Sequence, residues 1–178
     1  MNSALPEAAP DGAPNAPAPD FYRPETLQPE HAVGRLMRKI LIATTTEVAR
    51  ELEPLGLTEA QWMPLFKLSE GACTTSTELA RECRTDAGAT TRMIDRLEEK
   101  GFLQRTRSAA DRRVVNLALT PAGQATAQHI PAVLCQVQNE LLRGFSPEEF
   151  DALRGYLRRM LDNAAAMQAR ATPRQEAP

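Results

Sequence analysis

Apolar residues recur at three- and four-residue spacing near the start of the chain, which predicts a long amphipathic helix over residues 29–53. Pro29 suits the first position of a helix, because proline has no amide hydrogen to lose there. Pro54 and Gly56 end the pattern. One stripe of this helix is apolar and consists of Val33, Leu36, Met37, Ile40, Leu41, Thr44, Val48 and Leu52.

The same spacing predicts two further helices toward the carboxyl end. Thr120-Pro121 begins a helix that runs to about Leu142, and Pro131 predicts a kink within it. Gly144 ends this helix, and Ser146 provides the capped start of the last one. The apolar face of the last helix consists of Phe150, Leu153, Leu157, Met160, Leu161 and Ala164.

These three helices carry more apolar surface than a small domain lying between them can cover. Apolar helix faces are buried against another element in folded proteins. We therefore expect the three helices to pack together and against the same helices of a second copy, which predicts a homodimer.

Between the long helices the pattern changes to shorter elements. Residues Ser76–Cys83 and Ala87–Lys100 have helical apolar spacing, and Gly101 ends the second helix. Two alternating segments, 104–107 and 113–119, predict a hairpin with a charged loop. Helix, turn, helix and basic hairpin in this order predict a winged helix-turn-helix. In such a unit the second helix enters the major groove of DNA and the wing contacts the backbone or the minor groove.

One more helix precedes this unit. Thr58 and Gln61 form a capping box at its start, and Pro64 removes a backbone hydrogen bond and predicts a bend. Its inward residues are Trp62, Leu65, Phe66 and Leu68.

The predicted fold class is mainly α (α+β), a winged helix-turn-helix lobe with long dimerisation helices from both ends of the chain. Residues 1–28 are rich in Ala and Pro and predict a disordered arm, and residues 169–178 predict a flexible tail. The predicted domain covers residues 29–168, with dimerisation helices at 29–53 and 121–168 and the winged unit at 58–120.

Composition excludes several classes of function. The net charge is −2, and residues 76–113 hold nine Lys or Arg and seven Asp or Glu, so charge alone does not indicate nucleic-acid binding. There is no membrane-spanning apolar stretch and no signal-peptide pattern.

Three cysteines without a CxxC pair and only two histidines argue against a metal site or a disulfide framework. Without a catalytic constellation or a phosphate loop, we expect no enzyme activity, no cofactor and a cytoplasmic location.

The second helix of the winged unit has two distinct faces at 100° per residue. The inward residues are Thr90, Met93, Ile94 and Leu97, and the outward residues are Gly88, Thr91, Arg92, Asp95 and Glu99. Thr91 and Arg92 lie in the first two turns, where a recognition helix meets base edges and phosphates. Gly88 permits a close approach of the backbone, and Arg96 completes the candidate DNA contacts of this helix.

The predicted wing concentrates arginines. Four guanidinium groups lie on one small hairpin, those of Arg105, Arg107, Arg112 and Arg113. An arginine at a hairpin tip can enter a narrow minor groove, where the potential is most negative. Asp111 is well placed to orient Arg113 through a bidentate pair. The candidate DNA contacts of the wing are therefore Arg107, Asp111, Arg112 and Arg113.

Several separated motifs resemble those of the MarR family of transcription regulators. The run Asp86–Gly101 (DAGATTRMIDRLEEKG) resembles the recognition helix of that family, and Asp111-Arg112-Arg113 resembles its wing motif. Leu117–Gly123 (LALTPAG) resembles its strand-to-helix junction, and Leu57–Trp62 resembles the start of its second helix. The resemblance covers roughly residues 30–167.

The resemblance implies an obligate homodimer whose first and last two helices interlock, with two winged lobes beneath. It also implies repression of a neighbouring gene through a near-palindromic operator in double-stranded DNA. A small aromatic or phenolic acid that binds between the dimer helices and the winged lobe would release the operator. On this chain the resemblance makes Thr91 and Arg92 contacts of the recognition helix, Arg113 the wing arginine and Asp111 its orienting carboxylate.

The position of the ligand cleft indicates four candidate residues. His31 and Arg35 lie one turn apart and could receive a carboxylate, although a solvated helix start is the favoured interpretation. Trp62 and Phe66 also lie one turn apart, and a purely structural core role fits them equally well.

Two alternative functions stay open. One is a winged module that binds proteins and has no DNA target, which the arginines of the wing argue against. The other is a cysteine-based redox-sensing regulator. The peroxide-sensing branch of the family uses a reactive cysteine near the start of the first helix. Residues 33–53 of this chain contain no cysteine, which argues against this alternative. Cys83 and Cys135 fit small buried hydrophobic positions, and Cys73 lies in a loop where its thiol can be exposed.

Overall fold

The computed structural model of the chain describes residues 18–107 and 115–171. Seven α-helices and two strands lie in this part of the chain, together with single 3-10 turns at Pro29–His31 and Glu53–Leu55. In chain order the elements are α1 (Val33–Leu52), α2 (Glu59–Ser69), α3 (Ser76–Cys83), α4 (Ala87–Glu99), β1 (Leu103–Arg107), β2 (Val115–Leu119), α5 (Pro121–Ala127), α6 (Ile130–Leu141) and α7 (Pro147–Ala171).

The chain divides into two compact units. The first spans Gln28–Leu141 and contains α1 to α6 with both strands, and the second combines the two ends of the chain and contains α7. The first unit has one hydrophobic cluster, formed by Val48, Leu52, Leu57, Trp62, Leu65, Cys73, Leu79, Ile94, Leu97, Leu103, Leu117, Ala127, Ile130 and Val137. Because α3, α4 and both strands contribute to the same cluster, burial of apolar surface fixes the helix-turn-helix to the hairpin.

The two strands form an antiparallel hairpin with Leu103 opposite Leu119 and Arg107 opposite Val115. Strand β1 begins one residue before its predicted start. The amide of Leu117 donates to the carbonyl oxygen of Thr74 at 2.8 Å, so β2 is also bonded to the segment that leads into α3. The base of the wing is therefore tied to the helix-turn-helix by backbone hydrogen bonds.

Local capping sets the helix ends of the winged unit, and of these caps the sequence analysis predicted the stop at Gly101. Thr75 Oγ1 accepts from the amide of Glu78 at 3.2 Å, and Glu78 Oε2 accepts from the amide of Thr75 at 3.1 Å. Asp86 Oδ1 accepts from the amide of Ala89 at 2.8 Å, and Gly101 ends α4 with a φ of 72°. The predicted bounds of α3 are confirmed, and those of α4 are correct to within one residue.

The first long helix begins later than predicted. Pro29 opens a separate 3-10 turn, and α1 begins only at Val33. Ala32 has extended backbone angles (φ −64°, ψ 129°), which interrupt the helical hydrogen bonds between the two segments.

The segment after the hairpin forms two helices rather than the single kinked helix predicted. A turn at Gln128 and His129 separates α5 from α6. Pro131 therefore occupies the first turn of a new helix, where its missing amide costs no hydrogen bond.

The second unit consists mainly of α7. Gly144, with a φ of 90°, ends the preceding segment as predicted. The amide of Ser146 donates to Glu149 Oε2 at 2.8 Å, and the amide of Glu149 donates to Ser146 Oγ at 3.2 Å, which confirms the predicted cap. The large apolar side chains that α7 exposes are Phe150, Tyr156, Leu157, Met160, Leu161 and Met167.

Candidate nucleic-acid interface

A short polar turn joins α3 to α4 and is held by its own hydrogen bonds. The hydroxyl of Thr90 donates to the carbonyl oxygen of Asp86 at 2.9 Å. The hydroxyls of Thr85 and Thr90 lie 2.8 Å apart, and since Thr90 has already used its proton, Thr85 is the donor. Thr90 is only 2% exposed, so this small network fixes the start of α4 from the inside.

The two faces of α4 are as its spacing predicts. Thr90, Ile94 and Leu97 are buried and Met93 is half-buried. The exposed residues of the helix include Gly88, Thr91, Arg92, Arg96 and Glu99. The candidate DNA contacts of α4 therefore all lie on its solvent side.

An acidic side chain occupies the amino end of α4. The amide of Ala89 donates to Asp86, and this hydrogen bond is the largest of the effects that lower the pKa of the Asp86 carboxyl. The positive charge of Arg92 contributes in the same direction. A Cβ at Gly88 would lie 3.6 Å from an Arg92 guanidinium nitrogen, so that group bends back over the first turn. Because Asp86 already fills the anion position of this helix end, a phosphate would have to be bound by side chains.

Thr91 is exposed, but its hydroxyl donates to the carbonyl oxygen of Ala87 at 2.8 Å. The proton is therefore used within the helix, while the oxygen lone pairs and the methyl group face outward. In this rotamer Thr91 can accept from a base amino group or touch a thymine methyl group.

Arg105 of β1 is tied to α4. Its guanidinium donates to Asp95 Oδ1 at 2.8 Å and to Glu98 Oε2 at 2.5 Å, and its amide donates to Glu98 Oε1 at 3.2 Å. Hydrogen bonding to Glu98 is the main cause that raises the pKa of Arg105. Arg105, which the sequence analysis left out of the candidate DNA contacts, therefore joins the hairpin to the recognition helix.

Lys100 anchors the other end of α4. Its Nζ donates to the carbonyl oxygen of Gly56 at 2.6 Å and to Gln61 Oε1 at 2.7 Å. Gln61 is 3% exposed and also accepts from the amide of Thr58 at 3.2 Å. Lys100 thereby connects the end of α4 to the start of α2.

Three further arginines around α4 do not join elements of the fold as Arg105 and Lys100 do. Arg84, Arg92 and Arg96 are exposed, and none has an ion pair or side-chain hydrogen bond with another residue in the described ranges. Arg84 adopts a left-handed backbone conformation with a φ of 51°, which is uncommon for residues other than glycine. Arg84 is a further candidate contact, which its place in the turn before the recognition helix could have indicated from the sequence.

The wing tip lies outside the described residues. The candidates Asp111, Arg112 and Arg113 belong to it, and Arg107 is described only through its backbone pairing with Val115. Their predicted contacts with DNA stay predictions.

The four candidate ligand residues have different environments. His31 is exposed in the 3-10 turn, and Arg35 is paired with Glu30 at 2.9 Å. Trp62 is 6% exposed and belongs to the core, and Phe66 packs against that core half-buried. The indole N–H of Trp62 is buried and has no hydrogen-bond acceptor among the described residues.

The cysteines differ from their predicted environments. Cys73 is 3% exposed rather than open to solvent, and burial raises the pKa of its thiol to about 11. Burial also raises the pKa of the half-buried Cys83. Cys135, predicted as buried, is exposed in the single chain. A raised pKa disfavours the reactive thiolate, so Cys73 and Cys83 lack the property that a redox sensor needs.

Residues 18–107 and 115–171 contain no group of three His, Cys, Asp or Glu side chains that could hold a metal ion. In the same ranges no helix combines the length and the apolar character that crossing a membrane requires.

The chain is similar to known regulators. The model of the MarR family matches residues 57–115. The multiple antibiotic resistance protein MarR of Escherichia coli (strain K12) is 32% identical over 130 residues, which cover 72% of this chain and 90% of that protein.

Solved structures show the same similarity. A mutant of E. coli MarR complexed with operator DNA superposes with a TM-score of 0.64 at 32% identity and covers 72% of this chain and 92% of that one. The transcriptional regulator SlyA superposes with a TM-score of 0.69 at 25% identity and covers 79% of this chain and 99% of that one.

Proposed function

The chain belongs to the MarR family of transcriptional regulators, and we propose that it binds an operator in double-stranded DNA through α4. The observation that carries this proposal is the exposed face of α4, where Thr91, Arg92 and Arg96 project from a helix held at both ends. On a fixed helix, guanidinium groups that no other described residue pairs can bind phosphates, while Thr91 reads a base edge in the major groove.

Two further features support this proposal. Arg84 adds a positive charge, with no ion-pair partner among the described residues, at the turn that precedes α4. A mutant of the E. coli relative has been solved with operator DNA and covers 72% of this chain, and the family model matches residues 57–115. We assign phosphate contacts to Arg84, Arg92 and Arg96, base contacts to Thr91, and wing contacts to Arg107, Arg112 and Arg113, with Asp111 orienting Arg113.

We further propose that the operator is near-palindromic and is bound by a homodimer. Helix α1 exposes Val33, Leu36, Met37, Ile40, Leu41 and Ile42, and α7 exposes a second set of large apolar side chains. Monomeric proteins rarely leave apolar patches of this extent in water. A second copy that covers both helices would have the twofold symmetry that a palindromic site matches.

The proposed effector is a small aromatic or phenolic acid that binds near the start of α1. Arg35 is paired with Glu30 on the surface, so the acid would have to displace that carboxylate to reach the guanidinium. Trp62 offers a buried indole N–H without an acceptor among the described residues. An effector of this kind weakens operator binding by a coupling of roughly 1–3 kcal/mol.

DNA binding is tested by selecting duplexes from random sequences with the full chain, followed by salt-titrated anisotropy on the selected and scrambled duplexes. We expect the selected duplex to bind at least about 1,000-fold more tightly than the scrambled one. Arg92→Ala should weaken binding, whereas Arg38→Ala, which removes an exposed arginine of α1, should not. Failure to enrich any sequence, or equal affinity for both duplexes, would exclude an operator-binding regulator.

A further inference from the structure

One ammonium group connects the end of the recognition helix to the end of the first long helix. Lys100 comes directly after α4, and its Nζ donates to the carbonyl oxygen of Gly56 at 2.6 Å and to Gln61 Oε1 at 2.7 Å. Lys100 and Gly56 are 44 positions apart in the chain. Gly56 directly follows α1 and its 3-10 turn, so the contact joins the proposed DNA-reading helix to the proposed dimerisation helix.

Both oxygens that accept from Lys100 are held in place by other bonds. The amide of Gly56 donates to the carbonyl oxygen of Glu53 at 2.8 Å, so a backbone hydrogen bond closes the turn after α1. Gln61 is 3% exposed, and its Oε1 also accepts from the amide of Thr58 at 3.2 Å. Because neither acceptor can move freely, the end of α4 follows the end of α1.

Apolar packing defines the position of α4 less strictly than this contact does. Ile94 and Leu97 are buried in the shared core, but the burial of apolar surface has no preferred direction. A hydrogen bond depends steeply on distance and angle. No other side-chain hydrogen bond or ion pair between described residues joins α4 to residues 33–61. Lys100 is therefore the polar contact that sets where α4 lies relative to α1.

The residue type at position 100 is informative in this chain. Of the 21 Lys and Arg residues, 18 are arginines. An ammonium group is a compact charge whose three hydrogens can point to separate oxygens, whereas a guanidinium group is planar and larger. A lysine that donates to two oxygens within 2.7 Å indicates a specific fit rather than a general need for positive charge.

We propose that Lys100 is a positioning residue for operator binding, which sets the separation of the two recognition helices in the dimer by fixing each α4 against the end of α1. A twofold dimer binds half-sites whose centres lie about 34 Å apart, and one base pair changes this distance by about 3.4 Å. Lys100 thus determines which half-site spacing the dimer prefers. The inference rests on the proposed function, because it requires a homodimer on a near-palindromic operator.

Operator duplexes with different half-site spacing test this role by anisotropy on the full chain. The set contains the selected spacing, spacings one base pair shorter and longer, and a single half-site. Lys100→Met keeps the length of the side chain and should reduce the preference for the selected spacing by about fivefold, as expected for the loss of a net hydrogen bond. Its affinity for the single half-site should stay at the wild-type value, which also shows that the variant is folded.

Lys67→Met is the matched control. It removes the same charge from the far end of α2, where Lys67 lies 4.0 Å from Glu82 of α3 and not against α4. It should keep the wild-type spacing preference. An unchanged preference in Lys100→Met, or an equal loss of affinity on every duplex including the half-site, would overturn the proposal.

Gln61 tests the same contact from its other side. Gln61→Met removes one acceptor without changing charge, and a residue that is 3% exposed does not reach DNA. It should alter the spacing preference as Lys100→Met does, and the double variant should be no worse than either single variant, because all three break one contact. The salt slope should not change, whereas loss of a phosphate contact lowers it by about one. Additive effects, or a lower slope for Lys100→Met, would show that Lys100 binds DNA directly and would reject the positioning role.

A distance measured without DNA separates this inference from the proposed function. Nitroxide labels on Thr91→Cys, in a background of Cys83→Ala and Cys135→Ser, report the separation of the two recognition helices by pulsed electron paramagnetic resonance. Lys100→Met should broaden or shift the distance distribution, and Lys67→Met should not. Identical distributions with and without Lys100 would refute the inference even if the operator is bound. If the wild type binds no operator, the proposed function fails, and the distance measurement still decides whether Lys100 positions α4.

Discussion

A Cβ atom added to Gly123 would lie 1.8 Å from the backbone carbonyl oxygen of Phe102. The two residues meet where the start of α5 packs on the turn between α4 and β1. The amide of Thr120 donates to the same oxygen at 3.1 Å, and the Thr120 hydroxyl donates to the carbonyl oxygen of Gly101 at 2.5 Å. Only glycine, whose side chain is a hydrogen atom, fits at position 123. The opposing atoms belong to the backbone of Phe102, which the hydrogen bonds of Thr120 hold in place.

Gly123→Ala should therefore destabilise the fold, by about 1–3 kcal/mol or more, since overpacking against backbone cannot be relieved by a side-chain rotation. Urea unfolding followed by circular dichroism measures the change. Gly34→Ala is the control, because apart from the adjacent backbone of its own helix no atom of the described residues lies within 4 Å of its Cβ position. Equal urea midpoints for the two variants would show that the close approach of Gly123 to Phe102 does not restrict the size of the side chain at position 123.

Arg84→Gly should change stability and DNA binding in opposite directions. Glycine relieves the left-handed conformation and should raise the free energy of unfolding by roughly 1 kcal/mol, while loss of the charge should lower operator affinity and reduce the salt slope by about one. Thermal unfolding and salt-titrated anisotropy measure the two effects. A more stable variant with unaltered affinity would remove Arg84 from the interface.

Arg105→Gln should leave Asp95 and Glu98, both on the recognition helix α4, without their arginine partner. The side chain of Arg105 is 35% exposed, so we expect no more than about 1 kcal/mol of lost stability. DNA binding should weaken for all sequences, because the carboxylates are no longer neutralised. The double variant Arg105→Gln/Asp95→Asn keeps the wild-type net charge and should recover much of the affinity. If it recovers none, Arg105 acts by a route other than charge.

Stability should depend on pH through Glu78. The Glu78 carboxylate accepts from the amides of Thr74 and Thr75 at 2.8 and 3.1 Å, and these hydrogen bonds lower its pKa below the usual 4.5. A lower pKa in the folded state means that the carboxylate stabilises the fold above pH 4.5 and loses this effect as the pH falls. Glu78→Gln should therefore be less stable than wild type at pH 7, and the difference should shrink below pH 4.5. A difference that stays constant down to pH 3 would contradict this explanation.

The protein should be a dimer at micromolar concentration, because the interface proposed for α1 and α7 is apolar. Leu161, which is 68% exposed in the single chain, is a sensitive position. Leu161→Glu should shift sedimentation toward the monomer, whereas Asp162→Ala, a neighbouring exposed position, should not. A stable wild-type monomer would reject the dimer.

Features that depend on neighbours in sequence could be predicted from the sequence. The bounds of α3 follow from its apolar spacing, and the end of α4 follows from Gly101. The inward face of α4 follows from the period of the helix alone. Hydrogen bonds between residues about one turn apart set the helix ends, and the fixed rotation per residue sets the helix faces. The residues that determine these features are therefore close together in the sequence.

The tertiary structure decided what depends on residues distant in the sequence. The sequence places Arg105 on the hairpin, and only packing between elements brings it against Asp95 and Glu98 on α4. The burial of Cys73 and the close approach of Gly123 to Phe102 likewise follow from packing between elements. Periodicity specifies which side of a helix faces inward, but it does not specify which residue of another element lies there. That partner determines whether an arginine is paired within the fold or free to bind a phosphate.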